Sequence, residues 1–269
     1  MYYNKGFYWK YSITLLLFIH LLLGDIQAQS NASTNENKLL IHAIETSMIS
    51  IDGGVFTMGC TSDQGSECTH DEFPIHQVQL SSFKLLKTEV TQGMWQSVMG
   101  NNPSLNKRTA QFPVENVSFN DIEVFIDELN KISGHRYRLL TEAEWEFAAR
   151  GGNKSKSTLY SGSSDAQSVS WNVGNSSNTT HIAGYKNANE LGLFDMSGNV
   201  WEWCSDWYGE YHLTEESDPR GAVDGTDKVI RGGSYSGSIW FCRNSIRMHY
   251  TPSYKSHIIG FRLAEDMPN

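Results

Sequence analysis

The side chains best able to do chemistry are four cysteines, Cys60, Cys68, Cys204 and Cys242. Cys60 and Cys68 flank a polar loop, Thr-Ser-Asp-Gln-Gly-Ser-Glu, and a disulfide closing it is the first expectation in an oxidising compartment. Four cysteines allow three pairings, and sequence does not choose among them. A zinc site drawing on His70 or His76 is the alternative, although its spacing matches no standard site. Cys204 sits in the apolar burst Trp201-Glu202-Trp203-Cys204, and Cys242 reads either as a buried small residue or as its disulfide partner. Asp195 and Glu202, taken alone, read as a solvated acidic pair. His181, His212, His249 and His257 are scattered without metal-binding spacing. There is no Gly-x-Ser-x-Gly elbow, His-Glu-x-x-His helix, P-loop or Gly-x-Gly-x-x-Gly, so hydrolytic or nucleotide chemistry would need an unusual site.

The elements that must position these residues are clearest before residue 153. Gly53–Gly59 has the glycine-bounded look of a strand, and His76–Leu86 alternates apolar with polar residues around a break at Ser81-Ser82, predicting two strand segments. Thr91 caps a short helix ending near Gly100. Ser118, with Asp121 as capping partner, opens a helix whose buried face is Ile122, Phe125, Ile126, Leu129 and Ile132, and Gly134 ends it. A third helix starts at Thr141 in a Thr-x-x-Glu capping box, buries Trp145 and Ala149, and stops at Gly151-Gly152. From Asn153 onwards periodicity is lost. Long loops in compact domains tend to be functional or held by crosslinks and ions, so a site is expected there.

Several ordered blocks carry a resemblance: Gly53–Gly59, Lys87-Thr88-Glu89-Val90-Thr91, Pro113–Ser118, Arg138–Glu146, Gly192–Trp207, Arg231-Gly232-Gly233-Ser234-Tyr235 and Gly260-Phe261-Arg262. In that order the chain resembles the formylglycine-generating enzyme, or sulfatase-modifying factor, family. The resemblance implies an irregular, loop-rich α+β single domain related to C-type lectins, with few short strands and about two longer helices. The expected organisation is a signal peptide over 1–28 and a flexible lead-in and first strand over 29–50, both read from the residues themselves, and the family domain over 51–266, which the resemblance implies.

The family's enzymes convert a sulfatase cysteine to formylglycine with dioxygen, using two cysteines that hold Cu(I), for which soft thiolates are suited. That pair lies at the second and seventh residues beyond the Tyr of the Gly-Gly-Ser-Tyr block. Here those positions are Gly237 and Cys242, close to Ser234. A glycine offers no ligand, so the resemblance argues against copper and against formylglycine generation by the known route. It also implies calcium at Asp195-Met-Ser-Gly198-Asn-Val200-Trp-Glu202, with the side chains of Asp195 and Glu202 and the carbonyls of Gly198 and Val200 as ligands. A second family calcium site would begin at Asn172 and Val173, but no Asp falls where a later ligand is needed.

The setting is expected to be outside the cytoplasm. Lys5 and Lys10 lead into Ile13–Gly24, an apolar run too short to span a bilayer, with a cleavage context after Ala28. An uncleaved anchor is the alternative; no cysteine follows the run to accept a lipid. The protein is thus expected to be periplasmic or secreted, without an integral membrane segment after cleavage. A net charge of −9 argues against nucleic acid. The expected function is a calcium-stabilised binding or structural module for a peptide, glycan or small molecule, with Tyr235 and Trp240 beside its cleft. An oxygen-dependent oxidase with an altered site, drawing on Cys242 or Ser234, is the alternative.

Overall fold

A computed structural model describes residues 35–267, so the proposed signal peptide lies outside the described residues. The chain divides into two units, 1–43 and 44–269. A helix, α1, covers 35–47. This helix lies where a flexible lead-in was expected; residues 29–34 of that stretch lie outside the described residues, and the first strand begins within it at Met48. Strands β1 (Met48–Ile51) and β2 (Gly54–Met58) follow, then β3 (His76–Leu80) and β4 (Phe83–Leu86). In β3 His76, Val78 and Leu80 are buried while Gln77 and Gln79 are exposed, the alternation that the pleat imposes.

Helix α2 (Gln92–Met99) is capped by the Thr91 hydroxyl, which accepts from the Met94 N–H, and ends at a left-handed Gly100. Helix α3 (Phe119–Ser133) carries the Ser118/Asp121 capping box and a left-handed Gly134. It buries Phe119, Ile122, Phe125 and Leu129; Ile132, expected on that face, is 36% exposed. After β5 (Tyr137–Arg138), helix α4 (Glu142–Ala149) has the Thr141/Glu144 capping box and buries all eight residues rather than one face. Helix α5 (Ala166–Val169), β6 (Ser170–Trp171), β7 (Ser197–Gly198), β8 (Trp201–Trp207), β9 (Glu216–Ser217), β10 (Lys228–Arg231), β11 (Arg247–Tyr250), β12 (Ile259–Gly260) and β13 (Ala264–Asp266) complete the order.

Two sheets have four strands, in the orders β1-β4-β13-β5 and β11-β10-β8-β12; smaller ones pair β2-β3-β9 and β6-β7. Helix α4 packs against β2, β3, β8 and β10, placing Trp145 and Phe147 in the main core. Its four-residue spacing also delivers charge inward. Arg231 is fully buried, with Nη1 on Glu142 Oε1 at 3.0 Å and Nη2 on Glu146 Oε2; Arg247 bridges Glu142 through Nε at 2.6 Å and Nη2 at 2.8 Å. Buried charges of this kind persist only when paired with opposite charge and hydrogen-bonded.

Candidate functional site

The segment from Asp195 through β7 to the start of β8 is built around tight backbone. Asp195, Gly198 and Asn199 all take positive φ values, of 56°, 87° and 58°. At Gly198 a side chain has no room, since a Cβ would stand 2.2 Å from the Trp171 carbonyl oxygen. Asn199 is fully buried and works as a clamp: its Oδ1 accepts the His181 N–H at 3.0 Å, and its Nδ2 donates to Glu89 Oε1 at 3.0 Å.

Three buried carboxylates share one electrostatic neighbourhood there: Glu89, Asp195 and Glu202, with the fully buried Arg262 as their cation. Glu202 is saturated by donors. Its Oε2 accepts from Trp145 Nε1 at 2.9 Å and Arg262 Nε at 2.7 Å, and its Oε1 from Arg262 Nη2 at 2.6 Å. Asp195 Oδ2 accepts the Gly184 N–H at 2.6 Å. That leaves Asp195 Oδ1 and Glu89 Oε2 buried without a donor. The two carboxyls are within hydrogen-bonding reach of one another, so they can satisfy each other only by sharing a proton. Burial, with the charge of Glu202, pushes Asp195 up to about 6, and burial plus the charges of Asp195 and Glu202 holds Glu89 well above the usual carboxylate range. An oxygen-only set with surplus negative charge can hold a hard cation. Glu89 was not expected in the set. Its signal in the sequence was its place inside the Lys87–Thr91 block, which gives no hint of what it faces.

The Asn172 turn is closed by protein groups: Asn172 Oδ1 accepts the Gly174 N–H at 2.9 Å, and His181 Nε2 lies 2.7 Å from the Ser176 carbonyl. No ion is needed to account for these polar groups.

The second locus is the turn Ile239–Cys242, whose N-cap is Ser238. Cys242 is fully buried beside Tyr160, Ala166 and Val169, and burial pushes its thiol up to about 12. Cys204 is likewise buried in β8, its thiol raised by burial. Both are unpaired, which corrects the suggested Cys204–Cys242 disulfide. Cys60 and Cys68 do form the expected disulfide. With Glu72 they are the only trio of His, Cys, Asp and Glu among the described residues close enough to share an ion, and an oxidised pair offers no thiolate for zinc. Gly237 is half-buried, and a Cβ there would meet only ordinary contacts, 3.5 Å from Ser234 O and Oγ. Ser234 is fully buried and its Oγ has no partner. Tyr235 is 3% exposed, so its ring does not line an open cleft, contrary to expectation. Trp240 is half-buried, donating to the Glu67 carbonyl at 2.9 Å beneath the Arg243 guanidinium. Trp201 and Trp203 are core residues.

Residues 41–267 match the family model for the sulfatase-modifying factor enzyme 1-like domain. The chain belongs to the sulfatase-modifying factor family. Among relatives of this family's chain, the chaperone protein LppX of Paenibacillus barcinonensis is 29% identical over 90% of this chain and 94% of its own. The formylglycine-generating enzyme of Streptomyces coelicolor is 35% identical over 57% of this chain and 52% of that enzyme, so the sulfatase-modifying-factor chain spans about half the length of that relative. Among solved structures, Treponema denticola variable protein 1 superposes with a TM-score of 0.74 at 30% identity, over 82% of this chain and 95% of that one. PvdO from Pseudomonas aeruginosa gives 0.72 at 26% identity, over 82% and 94%. No helix among the described residues is long and apolar enough to cross a membrane.

Proposed function

We propose that this chain is an exported, calcium-stabilised binding module of the sulfatase-modifying factor family that does not generate formylglycine by the copper route. The observation that carries this reading is that Cys242 is fully buried and unpaired while the family's partner position is occupied by Gly237, which has no side chain to bind metal. One sulfur cannot provide the two-coordinate thiolate site that holds Cu(I). The Cys60–Cys68 disulfide supports export into an oxidising compartment.

Calcium is held by Asp195 and Glu89, whose buried oxygens lack donors, with the Gly198 and Val200 carbonyls of the same loop. Glu202 fixes Arg262 beside them. When bound, the ion supplies positive charge that lets both acids ionise and ties the loop to the segment before α2. Binding of a peptide, glycan or small molecule belongs to the exposed surface around Ser238, Ile239 and Trp240.

Two measurements test this reading. Metal analysis of the purified protein should find calcium and no copper, and chelation should lower the melting temperature, an effect that Asp195→Asn and Glu89→Gln each remove. In the second, a Cys-x-Pro-x-Arg peptide with Cu(I) and dioxygen should not turn over; turnover lost in Cys242→Ser would overturn the non-catalytic reading.

A further inference from the structure

A separate cavity of about 140 Å³ opens where the end of β8 meets the start of α4, roofed by the 209–222 segment. A volume of roughly this size, about 150 Å³, admits a molecule as large as benzene. Its apolar wall includes Met58, Trp207, Tyr211 and Ala222, and its polar wall Asp206, His76 and Glu142, with Glu210 and Glu216 also lining it.

Asp206, Glu142 and His76 present acceptors to this cavity, while the donors Tyr211 and Arg247 in its lining are engaged elsewhere and His212 lies at its exposed edge. His76 is 6% exposed, and its Nδ1 lies 3.0 Å from the Pro74 carbonyl, which can only accept; Nδ1 therefore carries a proton, and in the neutral ring Nε2 presents a lone pair. Among the described residues Nε2 makes no hydrogen bond. Asp206 is 3% exposed, and Oδ2 takes the Ser205 hydroxyl at 2.9 Å. The nearby donors are spent elsewhere. Tyr211 gives its hydroxyl proton to Glu142 at 3.2 Å, and Arg247 gives Nε and Nη2 to Glu142 and Nη1 to the Asp71 and Gly209 carbonyls. Lys228 is turned to the Ser205 carbonyl at 2.7 Å and lies over the Trp207 ring.

We propose that this cavity binds a primary ammonium group carried on an aliphatic stem, as in a lysyl side chain or a short alkylamine. The ammonium offers three N–H donors and a positive charge to Asp206 and His76, while the stem lies along Met58, Tyr211 and Ala222. The charged and titratable groups around Asp206 and the cavity are Glu142 and Glu144 on α4, His76 on β3, Glu210, Tyr211 and His212 in the segment after β8, Glu216 on β9, Lys228 on β10 and Arg247 on β11.

The test is titration of the full domain with n-butylammonium, with n-butanol as its neutral isostere. Butylammonium should bind saturably and at least about tenfold more tightly than butanol, and more tightly again by about tenfold between about pH 6 and about pH 8 as Asp206 ionises. Asp206→Asn should remove the preference for the amine. Ala222→Leu, at the half-buried rim, should block both ligands without lowering the melting temperature. N-acetyl-lysine-amide binding as well as butylammonium assigns a lysyl side chain; butylammonium alone assigns a free amine. Equal affinity for amine and alcohol, or binding unchanged by both variants, overturns the proposal.

Discussion

Asp206 gives a quantitative handle on how this fold tolerates buried acid. Burial, reinforced by the charge of Glu142, pushes its carboxyl from an ordinary 3.8 up to about 7. A shift of about 3 units at about 1.4 kcal/mol per unit corresponds to about 4 kcal/mol between the two protonation states. Because the folded-state value is raised, the neutral acid is the favoured form. Its contribution is fully present below about pH 4 and is lost as the pH climbs through about 7. Asp206→Asn keeps a neutral side chain that can still accept from Ser205, and it does not titrate. Urea unfolding of both proteins, followed by tryptophan fluorescence between about pH 5 and about pH 8.5, should therefore show a gap that changes with pH. The variant gains on the wild type by about 2.5 kcal/mol across that range, nearly all of it between about pH 5 and about pH 7, and the gap levels off above about pH 7.5. A gap that stays constant over the range refutes a neutral buried Asp206.

Other expectations follow from single positions. Gly237→Cys should fold with a stability change below about 1 kcal/mol, since its Cβ meets nothing closer than 3.5 Å, and competition with a Cu(I) chelator should reveal tighter copper binding than in the wild type. Gly198→Ala should cost about 3 kcal/mol or more, read as a lowered melting temperature, because it sets a methyl against a backbone carbonyl at positive φ. Cys60→Ser with Cys68→Ser should cost about 2.5 kcal/mol in urea unfolding, the loop-closure entropy of so short a ring; no measurable loss would show that the loop is held by its hydrogen bonds alone.

The parts of the fold legible in the sequence were those with local rules. Capping boxes at Ser118 and Thr141, the left-handed glycines at 100 and 134, and the Cys60–Cys68 loop need only a few neighbouring residues to be read. Strand β8 was invisible because Trp201, Glu202, Trp203 and Cys204 are all buried, so no alternation marks it. Ile132 kept the helical period but lies at the last turn, beyond the reach of the core. The site was half-readable. Asp195 and Gly198 sit in a local turn, whereas Glu89 and Arg262 come from distant segments, and only tertiary packing makes them face it. Tyr235 shows the converse error, since an aromatic in a glycine-rich block can be core as easily as cleft.

The ion pairs beneath α4 divide the protein's freedom to change. Replacing Glu142 alone strips the buried Arg247 of its carboxylate partner at a cost of about 3 to 5 kcal/mol, and Glu146 is shared by Arg231 and Arg150, so the members of this network constrain one another's replacement. Residues such as Leu213, Val223 and Ile239, on exposed connections, carry no such obligation. A lineage built on this frame can therefore revise what it presents to the outside, one residue at a time, while its interior stays locked by mutual dependence.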